Sequence, residues 1–260
     1  MSDFSVTFLG TGTSTGVPMI GCPCPVCHSD DARDTRLRPS ILVTTSEGNL
    51  LVDTTPDLRY QLLREKIANI EAVLFTHTHA DHLLGLDDIR AINFLQDREM
   101  PLYGSPFTLA QVERVFDYCF KDTQKGGGKP RLTLHPIENY IPLQLCGLEV
   151  LPLWHLHGRM PVNSFVFEKR FAYVTDVSAI PWRTWDALRG VDTLVLGTVR
   201  HEPHPTHLSL GQAIAVGREL GVRQTYLTHL SHHLGHKETE RFLPPSVALT
   251  YDGLTLTFSS

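Results

Sequence analysis

The chain has 260 residues, 42% hydrophobic and 20% charged, which is enough to bury a core without covalent staples. A formal net charge of -5 argues against nucleic acid or an anionic membrane as partner, because both reward a basic face. No run approaches the length of a membrane span, and the opening MSDFSVTFLG has an acidic residue and no basic segment before its short apolar stretch, so the expectation is a cytoplasmic protein without a secretory signal.

In chain order, short apolar and β-branched runs predict strands at 5–9, 40–45, 50–53 and 72–76, with helical patterns at 57–66, 83–94 and 107–120. The stretch KDTQKGGGKP, residues 121–130, is expected to be a mobile loop, since three consecutive glycines leave the backbone free, and to mark the boundary between two halves. Strands follow at 148–153, 164–167, 171–175, 193–197, 224–228 and 254–258, with helices at 181–188 and 209–220. Strands precede helices in each half and no long linker intervenes. The reading is therefore one α/β domain over 1–260, with halves of approximately 1–125 and 126–260, sheets inside and helices outside.

Two clusters carry chemistry. FTHTHADHLLGLDD, residues 75–88, places His77, His79, Asp81 and His82 within six positions at the end of an apolar run. Residues two apart in extended chain project to one side, so His77 and His79 form a two-pronged set. Asp81 and His82 follow where the pattern turns helical. Neutral imidazoles with a carboxylate suit zinc, manganese or iron; the competing role for Asp81 is to cap the following helix. The second cluster, GCPCPVC, brings Cys22, Cys24 and Cys27 together in a chain of five cysteines without an export signal, a pattern that favours metal over disulfides. A redox pair at Cys24 and Cys27 is the alternative, disfavoured by the third cysteine and the stiffening Pro23 and Pro25. Cys119 and Cys146 read as small buried hydrophobes.

THTHADH resembles the H-x-H-x-D-H signature of the metallo-β-lactamase superfamily. GTGTSTGVP at 10–18, the three-cysteine insertion at 21–28, RPSILV at 38–43, LVDTTPDLR at 51–59 and THLSH at 228–232 are similar to segments of its PhnP-like cyclic phosphodiesterase branch. Thr55 and the pair Asn163-Ser164 depart from that branch's pattern. The resemblance implies a four-layer αββα sandwich with a dinuclear site between its sheets. It further implies that His77, His79 and His157 hold one ion and Asp81, His82 and His229 the other, with Asp176 bridging and Asp53 orienting a ligand imidazole. PLWHLHGRMPV offers His155 beside His157, and the similarity of HGRMPV to the branch's H-G-x-x-P-V favours His157. The two ions, manganese or zinc, are expected about 3.5–4 Å apart, sharing a hydroxide nucleophile.

A closed structural zinc site needs a fourth ligand beside the three thiolates, and His232 is expected to supply it, with His233 its rival. In VRHEPHPTHLSL the histidines His201, His204 and His207 are candidate general acids for a leaving group, and the resemblance selects His207 to act with Asp81 and Asp176. The expected function is hydrolysis of a small phosphodiester; the resemblance implies a ribosyl 1,2-cyclic phosphate as an example of the substrate and a homodimer as the form of the chain. RNA 3′-end processing, thioester hydrolysis and a non-catalytic metal-binding scaffold are the alternatives.

Overall fold

The computed structural model describes residues 2–122 and 128–259; of the predicted loop at 121–130, positions 123–127 and the boundary at 125–126 lie outside the described residues. Strands β1 (Phe4–Gly10), β2 (Ser40–Thr45), β3 (Gly48–Val52), β4 (Ala72–Leu74), β5 (Met100–Gly104) and β6 (Leu132–Pro136) lie side by side in one sheet. The second sheet is β7 (Leu143–Leu145), β8 (Leu148–His157), β9 (Met160–Phe167), β10 (Phe171–Val174), β11 (Thr193–Gly197), β12 (Gln224–Thr228) and β13 (Val247–Leu249). The last strand, β14 (Thr255–Phe258), returns to the first sheet beside β1, and β6 also lies beyond residue 125, so each sheet has seven strands. In both sheets the pairing is antiparallel at one end and parallel from β3 to β6 and from β10 to β13.

Period-two alternation explains the layers. Along β2 and β3, Ile41, Val43, Leu50 and Val52 face the space between the sheets, where they meet Phe165, Phe167 and Tyr173 of the other sheet. Leu42 and Leu51 point the opposite way, under helices α1 (Leu58–Arg64), α2 (Ala80–Leu83), α3 (Ile89–Gln96), α4 (Pro106–Val115) and α5 (Asp117–Phe120). Ala172, Val174, Leu194 and Leu196 of the second sheet pack outward against α6 (Trp182–Leu188) and α7 (Leu210–Leu220), while α8 (His236–Glu240) lies along β13. Strands buried on both faces read as continuous apolar runs, and the three apolar layers they create are those of an αββα sandwich.

Several elements depart from the predicted ones. The strands β5, β6, β7 and β13 are not in the predicted set: β5 and β6 contain Pro101 and Pro136, and β7 and β13 are only three residues long. The helix predicted at 83–94 starts earlier, at Ala80, and breaks around Gly85. A Cβ on Gly85 would lie 1.8 Å from the Thr55 carbonyl oxygen, so the chain passes too close there for any other residue. α7 is the regular case, opened by a Ser209–Gln212 capping box and closed by Gly221 in the left-handed conformation. Among the described residues no helix is long and apolar enough to cross a membrane.

The turn before β14 is tied to the first sheet by Asp252, whose carboxylate accepts from the Thr11 hydroxyl at 2.8 Å, the Leu37 N–H at 2.9 Å and Arg64 Nη1 at 3.3 Å. Burial pushes its carboxyl up to about 6 against those bonds. A raised native value means the folded state binds this proton more tightly than the unfolded one. Its contribution to stability is thus complete below about pH 3.8 and is lost as pH rises through about 6. Asp252→Asn removes that loss, so the Tm difference between variant and wild type should move in favour of the variant, by up to about 3 kcal/mol in stability, as pH is raised from 4 to 6.5. Paired thermal melts across that window check it.

Candidate metal centre

All the clustered side chains arrive at the carboxyl ends of strands, where open α/β sheets place their ligands. After β4 the chain bends at Thr76 and runs on to His79, which stands at φ -64°, ψ 152° as the residue before α2. The rings of His77 and His79 lie 4.6 Å apart. No side chain caps α2, so Asp81 in its first turn is free for the cluster rather than engaged as a cap. His77, Asp81 and His82 are buried, while His79 is exposed at the rim, its ring 5.1 Å from that of His157.

Beneath them Asp53 is fully buried and holds three groups. Its carboxylate accepts from the Thr76 N–H at 2.8 Å, the Thr76 hydroxyl at 2.7 Å and His82 Nδ1 at 2.7 Å. Since Thr76 gives its one hydroxyl proton to Asp53, its oxygen accepts from His77 Nδ1 at 3.0 Å. His157 is fixed in the same way by Nδ1–H donation to the Thr206 carbonyl at 2.6 Å. All three imidazoles are thus held with the Nε2 lone pair available, the state a metal-binding histidine needs. His155 is different: Nε2 donates to the Thr175 carbonyl at 2.7 Å and Nδ1 accepts from the Ser164 hydroxyl at 3.3 Å, so neither nitrogen is left for the cluster.

The second sheet delivers the remaining groups. Asp176 follows β10 and His229 follows β12, at φ 53° and 60°, and Asp53 follows β3 at φ 66°. Non-glycine residues at positive φ cost free energy, and here the sharp reversal they make turns the side chain back over the strand end. Asp176 presents Oδ2 to His82 Nε2 at 3.2 Å and Oδ1 to His229 Nε2 at 3.2 Å. Asp81 Oδ2 sits 3.4 Å from His82 Nε2 and 3.6 Å from His229 Nε2. The ligand atoms of Asp81, His82 and His229 form one group within 4.8 Å of one another; those of His77, His82 and Asp176 form a second, and those of His157, Asp176 and His207 a third.

This donor set fits divalent cations. Burial alone would raise Asp81 and Asp176, yet His82 and His229 hold both well below the usual carboxylate range. Burial would likewise strip His82 of its proton, but Asp176, Asp53 and Asp81 override it and raise His82 well above its ordinary value. Three buried carboxylates thus demand positive charge at one spot, while buried Nε2 atoms of His77, His82 and His229 have no hydrogen-bond partner. Cations satisfy both requirements at once.

His207 also enters the cluster. Its Nδ1 lies 3.9 Å from Asp176 Oδ1, and its ring is 4.5 Å from His157 and 4.9 Å from His229. His201 is exposed, and His204 lies beside His207 with ring centroids 5.1 Å apart. A cavity of about 330 Å³ opens next to His207 and His229.

Cys22, Cys24, Cys27 and His232 form a separate group within 4.8 Å of one another, with His232 Nδ1 3.2 Å from Cys22 Sγ and 3.3 Å from Cys24 Sγ. The Cys27 N–H, then His232, lower the Cys24 thiol to about 6, the direction a thiolate ligand requires, whereas burial pushes Cys27 up to about 11. His233 lies outside this group, its ring 4.4 Å from His232. His232 is three residues past His229, and that segment is clamped by Arg36, 1% exposed, which donates to the Ser231 carbonyl at 3.0 Å, the Leu234 carbonyl at 2.6 Å and Asp34 at 2.8 Å. Sequence reasoning passed over Arg36, Thr76 and Thr206. A threonine closing the strand immediately before the histidine pair was a usable signal for Thr76; nothing local marks Arg36 or the Thr206 carbonyl.

The sequence model of the β-lactamase superfamily domain matches residues 48–230. An octanoyltransferase of Porphyromonas gingivalis is 38% identical over 249 residues, 95% of this chain and 50% of that protein, so the chain spans about half the length of that relative. A coenzyme PQQ synthesis protein B of Methylorubrum extorquens is 29% identical over 241 residues, 79% of this chain and 77% of that one. Among solved structures, a diphosphatase from the PhnP family matches with a TM-score of 0.92 at 41% identity, covering 98% of this chain and 97% of that one. Zinc-bound PqqB from Methylobacterium extorquens matches with a TM-score of 0.79 at 21% identity, covering 97% and 99%.

Asp53→Asn tolerates the left-handed backbone but cannot accept all three bonds, so divalent-cation affinity at the histidine and aspartate cluster should fall about 10–100-fold, read by chelator competition. Arg36→Met leaves the buried Asp34 without its ion-pair partner, holding only the His236 N–H, and takes the donor from the carbonyls of Arg33, Ser231 and Leu234, and urea denaturation should show a loss of about 3–5 kcal/mol.

Proposed function

Because the chain belongs to the metallo-β-lactamase superfamily, in its PhnP-like branch, we propose that it is a metal-dependent phosphoric diester hydrolase acting on a small anionic substrate. The observation that carries this reading is the Asp176 carboxylate, which lies within 4.8 Å of ligand atoms of His77 and His82 in one group and of His157 in another, and 3.2 Å from His229 Nε2, so that it reaches histidines of both sets. A carboxylate shared in that way suits two cations rather than one. In this reading His77, His79 and His157 hold one ion, Asp81, His82 and His229 the other, and Asp176 touches both; manganese and zinc both suit a mixed nitrogen and oxygen set. When bound, such a pair supplies a nucleophile from water near neutral pH and neutralises charge on the phosphate oxygens.

The protein's own groups supply the rest. Asp53 and Thr76 fix the proton positions of His82 and His77, so neither ring has to reorganise on binding. Burial, followed by His229, lowers His207 to about 3, which favours its neutral imidazole. A phosphodiester anion beside it opposes both effects, and His207 then holds the proton that the departing alkoxide takes. A cyclic ribose phosphate is one substrate of this kind. A diphosphate linkage is the second reading, favoured by the 41% identical diphosphatase that matches over nearly its whole length. The octanoyltransferase is about twice as long as the matched region, so its activity does not transfer to this segment by similarity alone. The Cys22, Cys24, Cys27 and His232 group offers four ligands to a structural zinc.

Purified protein is expected to contain up to three metals per chain by mass spectrometry and to hydrolyse bis(p-nitrophenyl) phosphate. Asp81→Ala should lose at least about 100-fold in kcat/KM; retention of full activity would exclude the paired-cation mechanism. His207→Gln should slow turnover about 10–100-fold with metal content intact, and loss of metal instead would make His207 a ligand.

A further inference from the structure

The cavity beside the centre extends well past the reacting groups. His207 and His229 line it together with Ser231 and His232 of the clamped segment. Its volume of about 330 Å³ falls within the range of small-molecule sites, roughly 300–1,000 Å³. Its lining also includes Arg200 and His204, and the three hydroxyl residues Thr13, Ser14 and Thr15 from the loop after β1. Among the described residues lining it none is acidic. A cavity with a permanent cation, several donors and no carboxylate selects an anion.

These donors are held in place. Arg200 donates from Nη2 to the Pro203 carbonyl at 2.8 Å and from Nε to the Glu202 carbonyl at 3.4 Å, folding the guanidinium onto its own loop. The Arg200 carbonyl accepts from the Leu210 N–H at 2.9 Å, which ties that loop to the start of α7. His204 Nδ1 accepts from the Thr206 N–H at 3.3 Å, so its neutral ring carries the proton on Nε2 as a donor. Arg38 Nε donates to the Ser14 carbonyl at 3.3 Å, and the Thr13 and Thr15 hydroxyls lie 3.2 Å apart.

We propose that this cavity is a second-phosphate subsite, so that the substrate class is a diphosphate-linked diester, its scissile phosphorus at the centre and its neighbouring phosphate on Arg200, His204 and the hydroxyls of Thr13, Ser14 and Thr15. The proposal rests on the metal-dependent hydrolase reading above and moves the scissile bond from a phosphoester to the P–O–P anhydride, in line with its second, diphosphate reading. In the reaction a water oxygen bonds to the scissile phosphorus, the bridging P–O bond breaks, and the departing phosphate keeps the electron pair; two monophosphate esters result. Arg200 pairs with that phosphate already in the bound substrate, so its contribution is to substrate binding. A substrate with a single phosphate makes no use of this interaction.

The test compares wild type, Arg200→Met and Arg200→Lys on ADP-ribose, which has a diphosphate linkage, and on bis(p-nitrophenyl) phosphate, which has one phosphorus. Arg200→Met should lower kcat/KM for ADP-ribose at least 10-fold more than for bis(p-nitrophenyl) phosphate, chiefly through KM, a differential of about 1.4 kcal/mol or more, and Arg200→Lys should recover part of it. Inhibition of bis(p-nitrophenyl) phosphate hydrolysis by inorganic pyrophosphate, measured on the metal-loaded protein, should show at least fivefold weaker pyrophosphate affinity in Arg200→Met. An unchanged selectivity ratio or an unchanged pyrophosphate affinity overturns the subsite. Wild type that cleaves bis(p-nitrophenyl) phosphate but not ADP-ribose sinks the subsite and leaves the hydrolase standing, whereas wild type loaded with metal that cleaves neither removes the hydrolase reading itself.

Discussion

The buried carboxylate of Asp53 is the constraint on which the centre depends. It stands at the end of β3, receives two bonds from Thr76 at the end of β4 and a third from His82 in α2, and so locks three consecutive pieces of the first sheet into one geometry. Burying a carboxylate is costly unless its acceptor capacity is used, and here two of the three bonds, from the Thr76 hydroxyl and His82, also set the proton position of an imidazole. Burial raises Asp53 while His82 opposes it, so the pair shares its charge away from water. The stability of the strand ends and the readiness of the ligand nitrogens are consequently one property.

Much of this was legible because neighbouring residues do the work. His77, His79, Asp81 and His82 lie in one short stretch at a strand end, and the strand's apolar run announces them. Cys22, Cys24 and Cys27 are equally local, and His232 joins them across the fold. The choice between His155 and His157 was beyond composition and spacing, since both belong to β8 and differ only in what Ser164, Thr175 and Thr206 offer their nitrogens. The exposure of His79 depends on how the rim closes around it, which no run of residues encodes.

The misread elements have tertiary causes as well. The helix predicted from residue 83 is broken by the approach of Gly85 to the Thr55 carbonyl, a contact between segments thirty residues apart. Pro101 and Pro136 hid β5 and β6, which pair in parallel at the side of the sheet away from β1. Arg36, the most deeply buried basic side chain around the clamped segment, owes its role to the carbonyls of Ser231 and Leu234 nearly two hundred positions later. Such partners are visible only once the chain has closed on itself.

The division of the donor set between the two sheets has a consequence for how the protein comes to life. The first sheet brings His77, His79, Asp81 and His82; the second brings His157, Asp176 and His229, the last of them near the end of the chain. A growing polypeptide emerging from the ribosome therefore has no complete cluster of these histidines and aspartates until β12 has been made and docked. Assembly of the donor set is deferred to the last stage of synthesis by chain order alone.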